Sequence, residues 1–205
     1  MPGSATPQRG VRERQRERTR RALLREGRRL FAERGYAAVG VAELVGTAGV
    51  TKGALYHHFP GGKTDLFRAV LDEVQHEVGR RVAAAAEAED DDWARLTAGC
   101  REFLASATAP GTERIMLVDG PAVLGWAEWR AMDEAASARH LAEALTSLVA
   151  AGIVAPQPVE PLVHLLSGAM NEAALWLASA SSGPEDLADT TAALLRMLTA
   201  LRGAD

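Results

Sequence analysis

The sequence predicts an all-α protein of about nine helices, a three-helix front domain followed by a six-helix body. Three observations predict it. Alanine and leucine dominate a chain that is 47% hydrophobic, while β-branched runs are short and aromatics reach only 5%, a balance that favours helix over sheet. Apolar residues recur at three- and four-residue spacing through long segments. Between those segments stand glycine and proline clusters, such as Phe59-Pro60-Gly61-Gly62 and Ala109-Pro110-Gly111, which end helices.

The first helix is expected from Val11 to Glu33, after a flexible MPGSATPQRG. Leu23, Leu24, Gly27, Leu30 and Phe31 share its inner face, and Gly35 supplies the left-handed stop. Its opening, VRERQRERTRR, carries six arginines alternating with glutamates. Two readings stay open there, a solvated helix with internal ion pairs or a basic arm for phosphates. Helix two starts near Gly40 and buries Val41, Leu44, Val45 and Ala48. Gly49 turns the chain and Val50 plugs the angle between helices. Helix three starts at Thr51, whose hydroxyl caps it, and sets Lys52, Gly53, Tyr56 and His57 opposite Leu55 and Phe59. Such a helix has a buried back and a polar front, as a major-groove reader needs.

Helix four is expected from Lys63 to Ala86, and an acidic link, Glu87 to Asp92, precedes helix five, Trp93 to Ala107. A short sixth helix, Thr112 to Asp119, should stop at Gly120-Pro121. A long seventh should run from Ala122 or Trp126 to Ala151. The eighth, Pro161 to Ser181, and the ninth, Glu185 to Leu201, are separated by SSGP. The chain thus divides into a flexible basic arm at 1–18, a helix-turn-helix domain at 19–62, a connecting helix at 63–86 and a body at 87–205.

Net charge is −4, unevenly spread. Residues 1–63 carry 13 Lys/Arg against 5 Asp/Glu, a surplus of +8, and the remainder carries 10 against 22, or −12. A basic front on an acidic body is the layout of a DNA binder whose other half must stay off DNA. The single cysteine, Cys100, suits a reducing compartment and the role of a small buried apolar side chain. No run approaches the ~18 apolar residues of a membrane span, and the first residues lack a signal-peptide core. A cytoplasmic protein is expected.

The run RALLREGRRLFAERGY (Arg21 to Tyr36), the stretch VAELVGTAGVTKGALYHHF (Val41 to Phe59), and Lys63, Leu66 and Phe67 together resemble the amino-terminal domain of the TetR family of bacterial transcriptional repressors. The resemblance covers about Thr19 to Val74. DGPAVLGWAEWRAMDE (Asp119 to Glu134) and LSGAMNEAALWLA (Leu166 to Ala178) look like one type of TetR-like ligand domain. The resemblance implies that Thr51, Lys52 and Gly53 meet base edges, that Tyr56 and His57 lie beside a phosphate strand, and that Lys63 clamps a phosphate. It also implies a homodimer paired through helices eight and nine, a palindromic operator, and release by a small, largely apolar effector. Three departures stand out. Gly40 replaces a common Ser or Thr, Ala42 replaces a side chain that reads bases in some relatives, and FPGGK is one residue longer than usual.

In the body, Phe103, Met116, Trp126, Trp129, His140, Asn171 and Trp176 are the candidate ligand contacts, large apolar groups with a few polar ones suited to a cavity between helices. Ordinary core packing is the competing reading for each. Helix eight is apolar around most of its circumference, which demands burial on most sides. Small residues at Gly168, Ala169, Ala173 and Ala180 would allow a second copy to approach closely.

Two rival functions compete with this reading. GGKT (Gly61 to Thr64) invites a phosphate-loop reading, but the glycine that motif requires falls at His57, and a helix rather than a strand precedes it. No spacing of His or Cys suggests a metal; no catalytic residue, metal or cofactor is expected. An architectural DNA-binding protein without an effector would share the front domain, so only the body separates that alternative.

Overall fold

The computed structural model describes residues 7–179 and 184–202, and divides the chain into two compact units, 1–71 and 72–205. In the first, α1 spans Pro7–Arg34, α2 Val41–Thr47 and α3 Lys52–His58, followed by the start of α4, Lys63–Glu87. Helix α1 opens four residues earlier than the periodicity predicted. Its exposed length is laced by ion pairs one turn apart, Glu17 with Arg21 and Arg29 with both Glu26 and Glu33, so the internal-pair reading of the arginine run holds over part of it. The expected inner face is buried: Leu23, Leu24, Leu30 and Phe31 pack with Leu44, Leu55, Phe59, Leu66 and Phe67. Gly27 lets α1 lie close on α4, since a Cβ there would stand 3.3 Å from Leu66 Cδ2. Phe31 and Tyr36 each meet the Phe67 ring edge-on, at 5.3 and 5.1 Å between centroids, the geometry aromatic quadrupoles prefer.

In the second unit α5 spans Asp92–Ala107, capped by Asp91, whose carboxylate accepts from Trp93 and Ala94 N–H. Helix α6 is composite, a π-helical stretch Arg114–Asp119 running into an α-helical Gly120–Leu124. Here the sequence expectation fails. Gly120-Pro121 does not stop the sixth helix, because proline in a first α-turn lacks only an N–H that has no intrahelical partner. The stop is Gly125, at φ 82°. Helix α7 is composite too: α-helical Trp126–Asp133, π-helical Glu134–Ala138, and α-helical Arg139–Ala150. Helices α8, Val159–Ser179, and α9, Pro184–Thr199, complete nine helices among the described residues. An isolated bridge pairs Val154 with Arg202. The expected SSG separator, Ala180 and the first six residues of the arm lie outside the described residues, whereas residues 7–10, expected to be flexible, are helical. Within the described residues no helix is long and apolar enough to cross a membrane.

Candidate nucleic-acid interface and ligand cavity

The front of the first unit is built around α3. Thr51 sits in extended geometry at φ −87°, and its hydroxyl accepts from Ala54 N–H at 3.2 Å, so the expected cap forms. Gly40 precedes α2 in the same geometry with no side-chain cap, and Glu43 in the first turn pairs with Arg34. Between the helices Gly49 takes φ 66°, the left-handed value that made glycine necessary there. Leu55 and Phe59 are buried, while Thr51, Lys52, Gly53, Tyr56 and His57 are all exposed. The turn that opens α3 is therefore accessible on its polar side. A Cβ at Gly53 would meet nothing nearer than the Thr51 hydroxyl at 3.9 Å, so glycine there leaves room for an outside surface to approach the backbone. The Lys52 ammonium stands 6.0 Å from the Tyr56 ring centroid.

His58 points the other way. It is half-buried, and desolvation, aided by His57, Arg16 and Arg20, holds its imidazole below the usual histidine range. Lys63 is set to a task that sequence reasoning missed: its ammonium donates to the carbonyls of Tyr36 and Val39 at 3.0 and 2.9 Å, and lies 3.9 Å from the Tyr36 ring centroid. It ties down the loop between α1 and α2. At the same corner Asp65 accepts from Gly61 N–H at 2.6 Å. That bond first, and Arg68 beside it, holds the Asp65 carboxyl below the usual carboxylate range.

In the second unit the expected ligand residues divide between two hollows where one was expected. A pocket of about 50 Å³, partly open to solvent, lies among α4, α5, α7 and α8, and Phe103 and His140 of the expected set line it. An open groove of about 470 Å³ is lined by Trp126, Trp129 and Asn171 of that set. Met116 is wholly buried, and Trp176 is exposed on the outer side of α8. Trp129 is only 3% exposed, and its indole N–H donates to the Met116 carbonyl at 2.7 Å. That bond makes it chiefly a core residue linking α7 to the π-helical stretch of α6.

Between the two hollows lies a polar wall that periodicity did not reveal. Asp133 is 1% exposed. Its Oδ2 accepts from Arg130 at 2.8 Å, from Asn171 at 3.2 Å and from Ser167 at 3.5 Å. Arg130 also donates to Ser167 and His164 and pairs with Glu134. Burial pushes the Asp133 carboxyl above the usual aspartate range, against the pull of Arg130, Asn171 and Ser167. Asp133 and Ser167 face the cavity, Arg130 and Asn171 the groove. The available signal was an acid three residues after Arg130, a spacing that places both on one helix face. Cys100 is buried as expected, with its thiol pushed up to about 12 by desolvation.

Comparison with known proteins decides the family. A profile described as tetracyclin repressor-like, C-terminal domain, matches residues 93–201, and one for bacterial regulatory proteins of the tetR family matches 23–70. The chain belongs to the TetR family. It is a helix-turn-helix transcriptional regulator, of a family that binds DNA operators. A TetR-family regulator from Pectobacterium atrosepticum is 34% identical, with a TM-score of 0.79 over 93% of this chain and 97% of that one. The regulator RolR, solved with resorcinol, has a TM-score of 0.70 at 22% identity over 90% of this chain and 89% of that one, a likeness of fold alone. The regulator LmrA of Bacillus subtilis is 32% identical over 42% of this chain and 45% of its own length. For TtgR of Pseudomonas putida the figures are 40%, 36% and 34%. This TetR-family chain thus spans less than half the length of those curated relatives, and the matches to them are local.

Proposed function

We propose that the chain is a repressor which binds a palindromic operator as a homodimer and is released by a small-molecule effector. The exposed opening turn of α3 on a buried back carries this reading. Lys52 would donate to base edges, Gly53 would admit the backbone, and Tyr56 and His57 would meet phosphate. Lys63 would act from behind, holding the loop on which α2 and α3 rest, rather than as the phosphate clamp that the resemblance implied. Two reading heads placed by a two-fold axis require a near-palindromic site.

Support for pairing comes from α8. Leu165 and Trp176 are exposed at 72% and 51%, and exposed Ala169 and Gly168 lie between them on the same helix. Large apolar groups flanking small ones suit a close helix–helix interface with a second copy. Support for an effector comes from the hollows of the second unit, which also separate this reading from an architectural protein. The effector would bind one conformation preferentially, and α4, a single helix reaching both units, would carry the change.

The test is selection of genomic fragments by the purified protein at near-physiological salt. Recovery of a shared palindrome supports the specific repressor. Recovery of fragments with no common sequence would favour the architectural alternative. The palindrome, once found, reports effectors through loss of binding.

A further inference from the structure

Two polar side chains in the lining of the 50 Å³ cavity narrow the chemistry of the effector, an inference that rests on the ligand-released reading above. Its walls are largely apolar, with Leu96, Phe103, Leu141 and Met170 among them. Asp133 and Ser137, one helical turn apart on α7, belong to the same lining. The Ser137 hydroxyl is buried and has no hydrogen-bond partner. The three donors to Asp133 all converge on Oδ2, and among the described residues none reaches Oδ1. A buried hydroxyl left in this state is costly, and a guest that pairs with it removes that cost, with the Asp133 carboxylate as a second acceptor in the same lining. Charge restricts the guest further. Arg130 already neutralises Asp133, so a cation gains little attraction, while an anion would face the carboxylate.

We propose that this cavity binds a small, neutral, mostly apolar molecule carrying a hydroxyl donor, of the phenol class. The hydroxyl donates to Asp133 Oδ1 and accepts from Ser137 Oγ, and the hydrocarbon lies against Leu96, Phe103, Leu141 and Met170. At about 50 Å³ the space exceeds the ~10–15 Å³ that one water needs. A single ring enters when Met170, an unbranched and adaptable side chain, changes rotamer. Ser137 lies on the π-helical stretch of α7, and π-turns are often found at functional sites. On that same stretch the Ala136 carbonyl lies 3.5 Å from where a Cβ of Gly79 on α4 would stand. A guest bonded to Ser137 therefore acts on the segment against which α4 rests.

The test is titration of the full chain with phenol, toluene and benzoate, followed by calorimetry and by release of operator DNA. Phenol is expected to bind about tenfold more tightly than toluene, the size of one hydrogen bond to a charged group, with benzoate weaker than both. Ser137→Ala removes a hydroxyl that has no partner, so it should fold normally and bind phenol about fivefold more weakly. Ala144→Leu, which fills the cavity, should abolish binding, and Trp126→Ala, in the groove, should leave it unchanged. Equal affinity for phenol and toluene, tighter binding of benzoate, or loss through Trp126→Ala in place of Ser137→Ala would overturn the proposal. The two readings fail separately. Phenol bound in the cavity without operator release would keep this chemistry and remove the effector role of the body. Release by an apolar or anionic compound where phenol does not bind would do the reverse.

Discussion

Lys52 and Asp133 show how much a single side chain depends on where it is buried. Lys52 stands exposed on the opening turn of α3, with no structural duty beyond its approach to the Tyr56 ring. Lys52→Ala should therefore weaken specific operator binding by about 1–3 kcal/mol and relax discrimination among sites. An unchanged preference in a competition assay would remove Lys52 from the reading surface. Asp133 is the opposite case. Its folded carboxyl titrates above the ordinary range because burial penalises the charge. Below its unfolded value, about pH 4, both states hold the proton and it contributes nothing that varies. As pH rises through the folded value, the unfolded chain releases the proton more readily and stability falls. Melting curves for wild type and Asp133→Asn, compared from acid to neutral pH, should move in favour of the variant as pH rises. Asp65 carries the other sign: its carboxyl is held low by Gly61 N–H, so its contribution is present at neutral pH and is lost on acidification through the folded value. A Tm deficit of Asp65→Asn that shrinks as pH falls would show it.

At the scale of elements, the two π-helical stretches are the places where this fold departs from regular helix. Each shifts the phase of the side chains that follow it, so a 3.6-residue pattern read through it assigns faces incorrectly. In α6 the consequence is a close approach of Gly120 to Trp129. A Cβ at Gly120 would stand 2.8 Å from Trp129 Cδ1 and 3.2 Å from the Ile115 carbonyl. Since the indole is rigid and tied to Met116, Gly120→Ala should cost about 1–3 kcal/mol by overpacking. Trp129→Ala should cost more, about 3–5 kcal/mol, as a large buried side chain deleted from a core. Denaturant titration checks both. A Trp129→Ala protein that keeps its stability and loses only its effector response would return Trp129 to the ligand site.

For the whole molecule, the exposed apolar face of α8 predicts association. Replacing Leu165 and Trp176 together by Glu should yield monomers in sedimentation and lower operator affinity, since each half-site would then bind alone. Their melting temperature should lose the dependence on protein concentration that a dimer imposes, because association stabilises the folded chain by mass action. If the double variant remains dimeric, another surface pairs the copies. The basic surplus of the front residues also predicts that operator affinity falls steeply with salt through counterion release, measurable as the slope of affinity against salt concentration.

The sequence by itself determined what repeats at helical period or depends on one local bond: the helices, the Thr51 cap, the Gly49 turn and the buried back of α3. These follow from residues within a turn or two of one another, and pattern reading reaches that far. Only the tertiary structure decided what depends on residues distant in the chain. Lys63 is turned onto the carbonyls of Tyr36 and Val39 by the packing of α1 on α4. The seven candidate ligand residues are divided between a cavity, a groove, the core and the surface of α8, because they stand on four different helices whose mutual packing decides what each one faces. The polar wall of Arg130, Asp133, Ser167 and Asn171 joins α7 to α8 across more than thirty residues. A buried charge survives only where such partners converge, and no spacing within one helix announces that convergence.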